Sequence, residues 1–184
     1  SSVKFEYDAA GQLTAEVDPK GGRTTYTYDA LGHSIQERDQ LGRTTTRTYD
    51  QNGNVLTSTD PLGRVTSYQY NKNNQLVRTT NPDGTSAAQE YDPEGRLSKT
   101  TDERGGATSY KYDPQGRIIE RVGALENIRR SAYDVLGNRI SDTDELQNIT
   151  RYEYDGASRL TKTILPTGAS NLTEYNASGN MLAQ

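Results

Sequence analysis

The 184 residues are 30% hydrophobic, have a mean hydropathy of -0.96 and carry a formal charge of -4 with acidic and basic residues interspersed. That is too little apolar material for a conventional layered core, and no basic run offers a nucleic-acid surface. With no cysteine, disulfides and thiolate metal sites are excluded, and no apolar stretch is long enough for a membrane helix.

The chain opens on a strand-like run ending at Tyr7, and every 21 residues another tyrosine closes an equivalent run: Tyr28, Tyr49, Tyr70, Tyr91, Tyr112, Tyr133, Tyr154 and Tyr175. A D-x-x-G turn follows each tyrosine. In chain order these are Asp8–Gly11, Asp29–Gly32, Asp50–Gly53, Asn71–Asn74, Asp92–Gly95, Asp113–Gly116, Asp134–Gly137, Asp155–Ser158 and Asn176–Gly179. A second strand-like run then leads to a second turn: Asp18–Gly21, Asp39–Gly42, Asp60–Gly63, Asn81–Gly84, Asp102–Gly105, Gly123–Glu126, Asp144–Gln147 and Leu165–Gly168. Asp or Asn at the first turn position can accept backbone hydrogen bonds, Pro fits the second, and Gly fits the fourth, where a three-residue hairpin loop needs positive φ. All six prolines (Pro19, Pro61, Pro82, Pro93, Pro114, Pro166) fall at the second position.

A turn every ten or so residues excludes helices, so the runs are read as strands. Each repeat is a β-hairpin and successive hairpins add to one antiparallel meander. A hairpin closed by a three-residue loop sets each register tyrosine opposite the residue six further on: Leu13, Ser34, Val55, Leu76, Leu97, Ile118, Arg139, Leu160 and Met181. This predicts a tyrosine–aliphatic stripe on one face. At Ser34 and Arg139 a local slip is expected to present Ile35 and Ile140 instead. Where Glu126 and Gln147 replace the turn glycine, Asn127 and Asn148 are expected to take the left-handed conformation in longer or altered turns. About seventeen strands would span ~80 Å if flat, and large twisted sheets curl, so the expected fold is all-β: a curved single sheet over residues 1–184, in eight to nine repeats. The start at Ser1-Ser2 and the stop in mid-pattern are read as marks of a segment of a longer protein.

The pattern resembles the YD-repeat (Rhs) family over Phe5 to Leu182, most closely in "YDAAGQL", "YDPEGRL", "YDPQGRI", "DPLGRVTSYQY" and "DERGGATSYKY". The resemblance implies a long sheet spiralling into a hollow shell, which in bacterial members encloses a C-terminal toxin domain before delivery. The implied setting is secreted or at the bacterial cell surface. The implied partner is an intramolecular toxin domain. Separately, the end strands near Phe5–Tyr7 and Met181 would expose unpaired backbone groups, so the isolated segment is expected to self-associate through these open edges. The family's self-cleaving aspartates are not visible. Asp60-Pro61-Leu62-Gly63 resembles their D-P-x-G motif but is explained as a turn.

Residues that could carry chemistry are few. His33 is the only histidine and reads as a strand residue; no D-x-D-x-D cluster suggests calcium; "DPKGG" and "DERGG" do not open helices and make no phosphate loop. No catalytic, cofactor or metal residues are assigned. The tyrosines could stack on sugar rings, but packing against aliphatics is the favoured role. Two function classes remain: a non-enzymatic wall segment of a toxin-encapsulating shell, and a module that binds glycans or another cell surface, for which Tyr26, Tyr68, Tyr110 and Tyr152 are the candidate platforms.

Overall fold

The computed structural model describes residues 2–176 and 178–183. They form strands and turns, without helix, and divide into two compact units, Ser1–Gln89 with Asp102–Arg104, and Glu90–Thr101 with Gly105–Gln184. The first holds β1 (Lys4–Tyr7), β2 (Leu13–Val17), β3 (Arg23–Tyr28), β4 (Ser34–Arg38), β5 (Thr44–Tyr49), β6 (Val55–Thr59), β7 (Val65–Tyr70), β8 (Leu76–Thr80) and most of β9 (Ser86–Tyr91). The second holds β10 (Leu97–Thr101), β11 (Ala107–Tyr112), β12 (Ile118–Val122), β13 (Ile128–Tyr133), β14 (Arg139–Thr143), β15 (Ile149–Tyr154), β16 (Leu160–Ile164), β17 (Ser170–Leu172), β18 (Glu174–Tyr175) and β19 (Met181–Ala183). Strands β1 to β17 belong to one open antiparallel sheet, in which each pairs with its sequence neighbour, while β18 and β19 form their own two-stranded ladder. That departs from a sheet continuous to the end of the chain. The gap is one residue wide: Thr173 N–H donates to Thr161 O at 2.8 Å, so the hydrogen-bond ladder still passes it.

Two kinds of hairpin alternate. After the second turn of each repeat the register is plain, as in Ala15↔Thr25, Glu16↔Thr24 and Val17↔Arg23. Before each register tyrosine it shifts: Glu6 faces Ala15 but Tyr7 faces Leu13, leaving Thr14 unpaired. The same bulge recurs at Tyr28↔Ser34, Tyr49↔Val55, Tyr70↔Leu76, Tyr112↔Ile118, Tyr133↔Arg139 and Tyr154↔Leu160. The expected slip at Ser34 and Arg139 therefore does not occur. Ile35 and Ile140 sit where Leu56 sits, at the unpaired bulge position, and their apolar character belongs to the bulge rather than to the tyrosine's partner.

The first-turn and second-turn loops share one geometry. The N–H of the fourth residue donates to the first residue's carbonyl, and the first N–H donates to the carbonyl four on, as in Gly11 N to Asp8 O (3.1 Å) and Asp8 N to Gln12 O (2.9 Å). The turns lacking Gly keep this shape: Glu126 N–H reaches Gly123 O at 2.9 Å and Gln147 N–H reaches Asp144 O at 3.0 Å. Contrary to expectation, Glu126 (φ 60°) and Gln147 (φ 66°) take the left-handed conformation themselves, as do Asn74 and Ser158; the turn fixes which position must be left-handed, and the side chain there accepts the strain.

Burial is sparse, as expected for a sheet one layer thick. Among the described residues Ala15, at 0% exposure, is the one buried apolar side chain, and Thr173 the one buried polar residue. The register tyrosines from Tyr28 to Tyr175 are half-buried, whereas Thr27, Thr48, Gln69, Glu90, Lys111, Ala132 and Glu153, each one residue earlier and on the opposite face, are exposed. Tyr7, in the first strand, is 61% exposed.

Candidate functional site

With almost no core, cohesion between repeats must come from elsewhere. Each D-x-x-G turn is closed twice by its own aspartate. In Asp8, Asp18, Asp29, Asp39, Asp50, Asp60, Asp113, Asp134, Asp144 and Asp155, Oδ1 accepts the N–H groups of the residues two and four further on, at 2.7–3.0 Å. Asp92 receives Arg96 N–H and Asp102 receives Arg104 N–H. Glycines 11, 21, 32, 42, 53, 63, 84, 95, 105, 116 and 137 all have φ between 77° and 93°.

The tyrosines then tie hairpin to hairpin. Six register phenols reach back to a carbonyl fifteen residues earlier, the carbonyl of the residue at the tyrosine-facing place of the preceding hairpin. Tyr28 OH donates to Leu13 O (2.8 Å), Tyr49 to Ser34 O (2.8 Å), Tyr112 to Leu97 O (2.7 Å), Tyr133 to Ile118 O (3.5 Å), Tyr154 to Arg139 O (3.0 Å) and Tyr175 to Leu160 O (3.0 Å). A carbonyl beside a bulge has spare acceptor capacity, and the phenol uses it. Burial pushes the Tyr112 hydroxyl above its ordinary range, and the Asp92 charge adds to this, so the phenol stays a donor.

A third contact covers the ring. The residue after the first-turn glycine binds its own turn aspartate with one end and lies over the next register tyrosine with its flat face. Arg96, Arg117 and Arg159 lie 4.8, 4.4 and 4.8 Å from the centroids of Tyr112, Tyr133 and Tyr175. Their Nε groups donate to Asp92, Asp113 and Asp155 Oδ2 at 2.6–2.7 Å. Arg96 also reaches Asp113 O at 3.2 Å, binding the backbone of the next turn. His33 takes this place in the second repeat. Its Nδ1 is 2.9 Å from Asp29 Oδ2 and its ring stacks on Tyr49 at 4.8 Å and 20°. The lone histidine is thus a structural counterpart of the arginines, with both its ring face and one nitrogen occupied. At Asn54 and Asn138 the amide makes the aspartate contact. Such bonds hold three turn carboxyls below their usual range, Asp60 chiefly through Arg64, Asp155 through Arg159 and Asp134 through Asn138.

The opposite face is a charged mosaic, including Arg23–Glu6, Lys99–Glu90 and the Lys111–Glu120–Arg130 triple. Of the second set of tyrosines, Tyr152 is hydrogen-bonded to Asp142 at 3.1 Å and covered by Arg139 at 5.1 Å, so its ring is occupied. Tyr26 lies beside Glu16 and Glu37. Among the described residues no group of three His, Cys, Asp or Glu side chains could hold a metal ion, and no helix is long and apolar enough to cross a membrane. Sequence reasoning placed the tyrosines and turns but missed the phenol–carbonyl bond and the covering residue. The second had a signal: Gln12, His33, Asn54, Gln75, Arg96, Arg117, Asn138, Arg159 and Asn180 put a hydrogen-bonding side chain at one place in every repeat.

A family model described as RHS Repeat matches residues 7–44, 49–86, 91–126 and 133–170, each match beginning at a register tyrosine and covering most of two successive 21-residue units. No curated protein matches the chain. Among solved structures, the crystal structure of TcdB2-TccC3 is similar over 98% of the chain at 19% identity and a TM-score of 0.64. TcdB2-TccC3 without its hypervariable C-terminal region follows at 98% coverage, 16% identity and 0.52, and the Photorhabdus luminescens Tc holotoxin pore with a TccC3 mutation at 97%, 18% and 0.50. The chain spans 12% of the length of each of these chains.

Proposed function

Since the chain belongs to the RHS repeat family, we propose that it is a non-enzymatic wall segment of a toxin shell, and that in the longer protein the wall encloses a toxin domain of the same polypeptide until delivery outside the producing bacterium. The observation that carries this reading is the staple repeated at successive tyrosines. Phenol, guanidinium and aspartate groups are consumed in joining each hairpin to the next, which suits a wall and leaves them unavailable for catalysis. Such a wall needs cohesion along the sheet more than a core, and the sparse burial fits that need. The similarity in fold to toxin-complex structures supports the same reading.

Limited proteolysis of the longer protein tests it. The polypeptide following the repeats should resist protease while the array is folded, and become cleavable once the array is opened by denaturant. Equal susceptibility in both states would refute encapsulation. A glycan array serves the alternative, a carbohydrate-binding module: specific binding lost on replacing Tyr26, Tyr68 and Tyr110 by Ala, with the staples intact, would favour that reading.

A further inference from the structure

On the face that carries the register tyrosines, three hydrogen-bond donors stand in one row across strands β11, β12 and β13. Tyr110 faces Arg121, and Arg121 faces Arg129. Neighbouring strands lie about 4.8 Å apart, so the row is roughly 10 Å long. Its second step sets two guanidinium side chains directly opposite each other, with Cβ atoms about 5 Å apart, an arrangement that costs stability. The other second-turn hairpins avoid it. Their corresponding places hold hydroxyls, an alanine, an amide or acids, as in Glu16↔Thr24, Thr100↔Thr108, Asp142↔Thr150 and Thr163↔Asn171.

The neighbouring acids do not neutralise the pair. Glu120 points to the other face, where it binds Lys111 at 2.7 Å and Arg130 at 2.8 Å. Asp142 is held by Ser131, Arg139 and Tyr152. Asp144 closes its own turn on Leu146 and Asn148. Glu145 takes the Nε of Arg129 at 2.6 Å, which leaves that guanidinium its two terminal amino groups. Among the described residues the Arg121 side chain makes no hydrogen bond or ion pair, and neither does the Tyr110 hydroxyl. Tyr152, by contrast, has its phenol on Asp142. Arg121 and Arg129 are exposed and Tyr110 is half-buried, so the row is open to solvent.

We propose that Tyr110, Arg121 and Arg129 form a binding site for a phosphate group, free or as a monoester. Two guanidinium forks match the oxygens of a tetrahedral oxyanion, and the phenol adds a neutral donor at the end of the row. A doubly charged anion between the arginines turns their repulsion into two attractions, whereas a carboxylate brings one charge for two cations. The three residues belong to one compact unit, and the inference stands independently of the wall reading.

Thermal unfolding of the full 184-residue chain, followed by circular dichroism, tests this in inorganic phosphate and in sodium chloride at matched ionic strength and neutral pH. Phosphate at about ten times its Kd should raise the midpoint of the parent by about 4 °C. Arg121→Thr recreates the Thr100↔Thr108 pairing, so it should fold, equal or exceed the parent's midpoint in chloride, and lose the phosphate response. Arg151→Thr removes an exposed arginine that faces Ile164 and Ser141 and should keep the full response, which controls for net charge. Titration calorimetry with inorganic phosphate and with glucose 6-phosphate, and co-sedimentation with phosphatidic acid vesicles, separate the free anion, a soluble ester and a lipid headgroup; a signal from any of them that is lost in Arg121→Thr supports the site. The proposal is overturned if the parent's midpoint is the same in phosphate and chloride, if Arg121→Thr responds to phosphate like the parent, or if Arg121→Thr is the less stable of the two in chloride.

Discussion

Tyr112 offers the sharpest probe of the phenol staple. Tyr112→Phe removes one oxygen, the donor to Leu97 O at 2.7 Å, and keeps the ring beneath Arg96. A neutral intramolecular hydrogen bond contributes about 1 kcal/mol net, so the loss should be close to that. Tyr112→Ala also removes half-buried ring area and the cation–π contact and should cost about 3 kcal/mol. The bond lengths set an order. Tyr133→Phe, whose bond is 3.5 Å long, should lose less than Tyr154→Phe at 3.0 Å, and that no more than Tyr112→Phe. Tyr7, with no phenol bond among the described residues and 61% exposed, is the control, and Tyr7→Phe should stay within about 0.5 kcal/mol of the parent. Urea unfolding followed by circular dichroism measures all five variants in one format. The reasoning fails if Tyr112→Phe matches the parent, or if Tyr133→Phe costs more than Tyr112→Phe.

Arg117→Lys should destabilise by about 1 kcal/mol despite keeping the charge, because an ammonium cannot bind Asp113 edge-on and cover the Tyr133 ring at once; urea midpoints check this. Glu126→Gly and Gln147→Gly should each raise thermal stability, by roughly 0.5–1 kcal/mol, since relief of left-handed strain exceeds the added chain entropy of glycine. Gly53→Ala should cost more than Gly63→Ala in the same scan: both have positive φ, but a methyl group at Gly53 would meet His33 Nε2 at 2.9 Å, whereas at Gly63 it meets nothing. Asp60, Asp134 and Asp155 have folded pKa values below their unfolded ones, so their stabilisation is present above the unfolded value, about pH 4, and is lost as pH falls through the folded values. Urea midpoints should therefore drop steeply below about pH 4, and Asp60→Asn with Asp155→Asn should flatten that drop.

The fold was legible in the sequence to the extent that it is local. A D-x-x-G turn carries its own chemistry within five residues, and period-two alternation between turns leaves few choices of strand, so register pairs such as Tyr49↔Val55 follow from counting alone. What was hidden depends on three strands at once. The bulge that leaves Ile35 and Ile140 unpaired makes the carbonyl of Ser34 available to Tyr49, and no pairwise rule for hairpins contains that contact. The left-handed Glu126 and Gln147 were misplaced by one residue for a related reason. Residue preference pointed to the neighbouring asparagines, while the hydrogen-bond pattern of the loop permits only the fourth position. The covering residue was readable as a recurring polar position, but its partner ring lies in the following repeat, sixteen residues on, as Arg117 and Tyr133 illustrate.

Electron cryo-microscopy of the longer protein that carries these repeats tests the central claim most directly. The account predicts that residues 1–184 form part of a continuous sheet wall around a closed volume, with density for the remaining polypeptide inside it. A map in which the repeats form an extended array with no enclosed volume, or in which the toxin-bearing portion lies outside the wall, would contradict it.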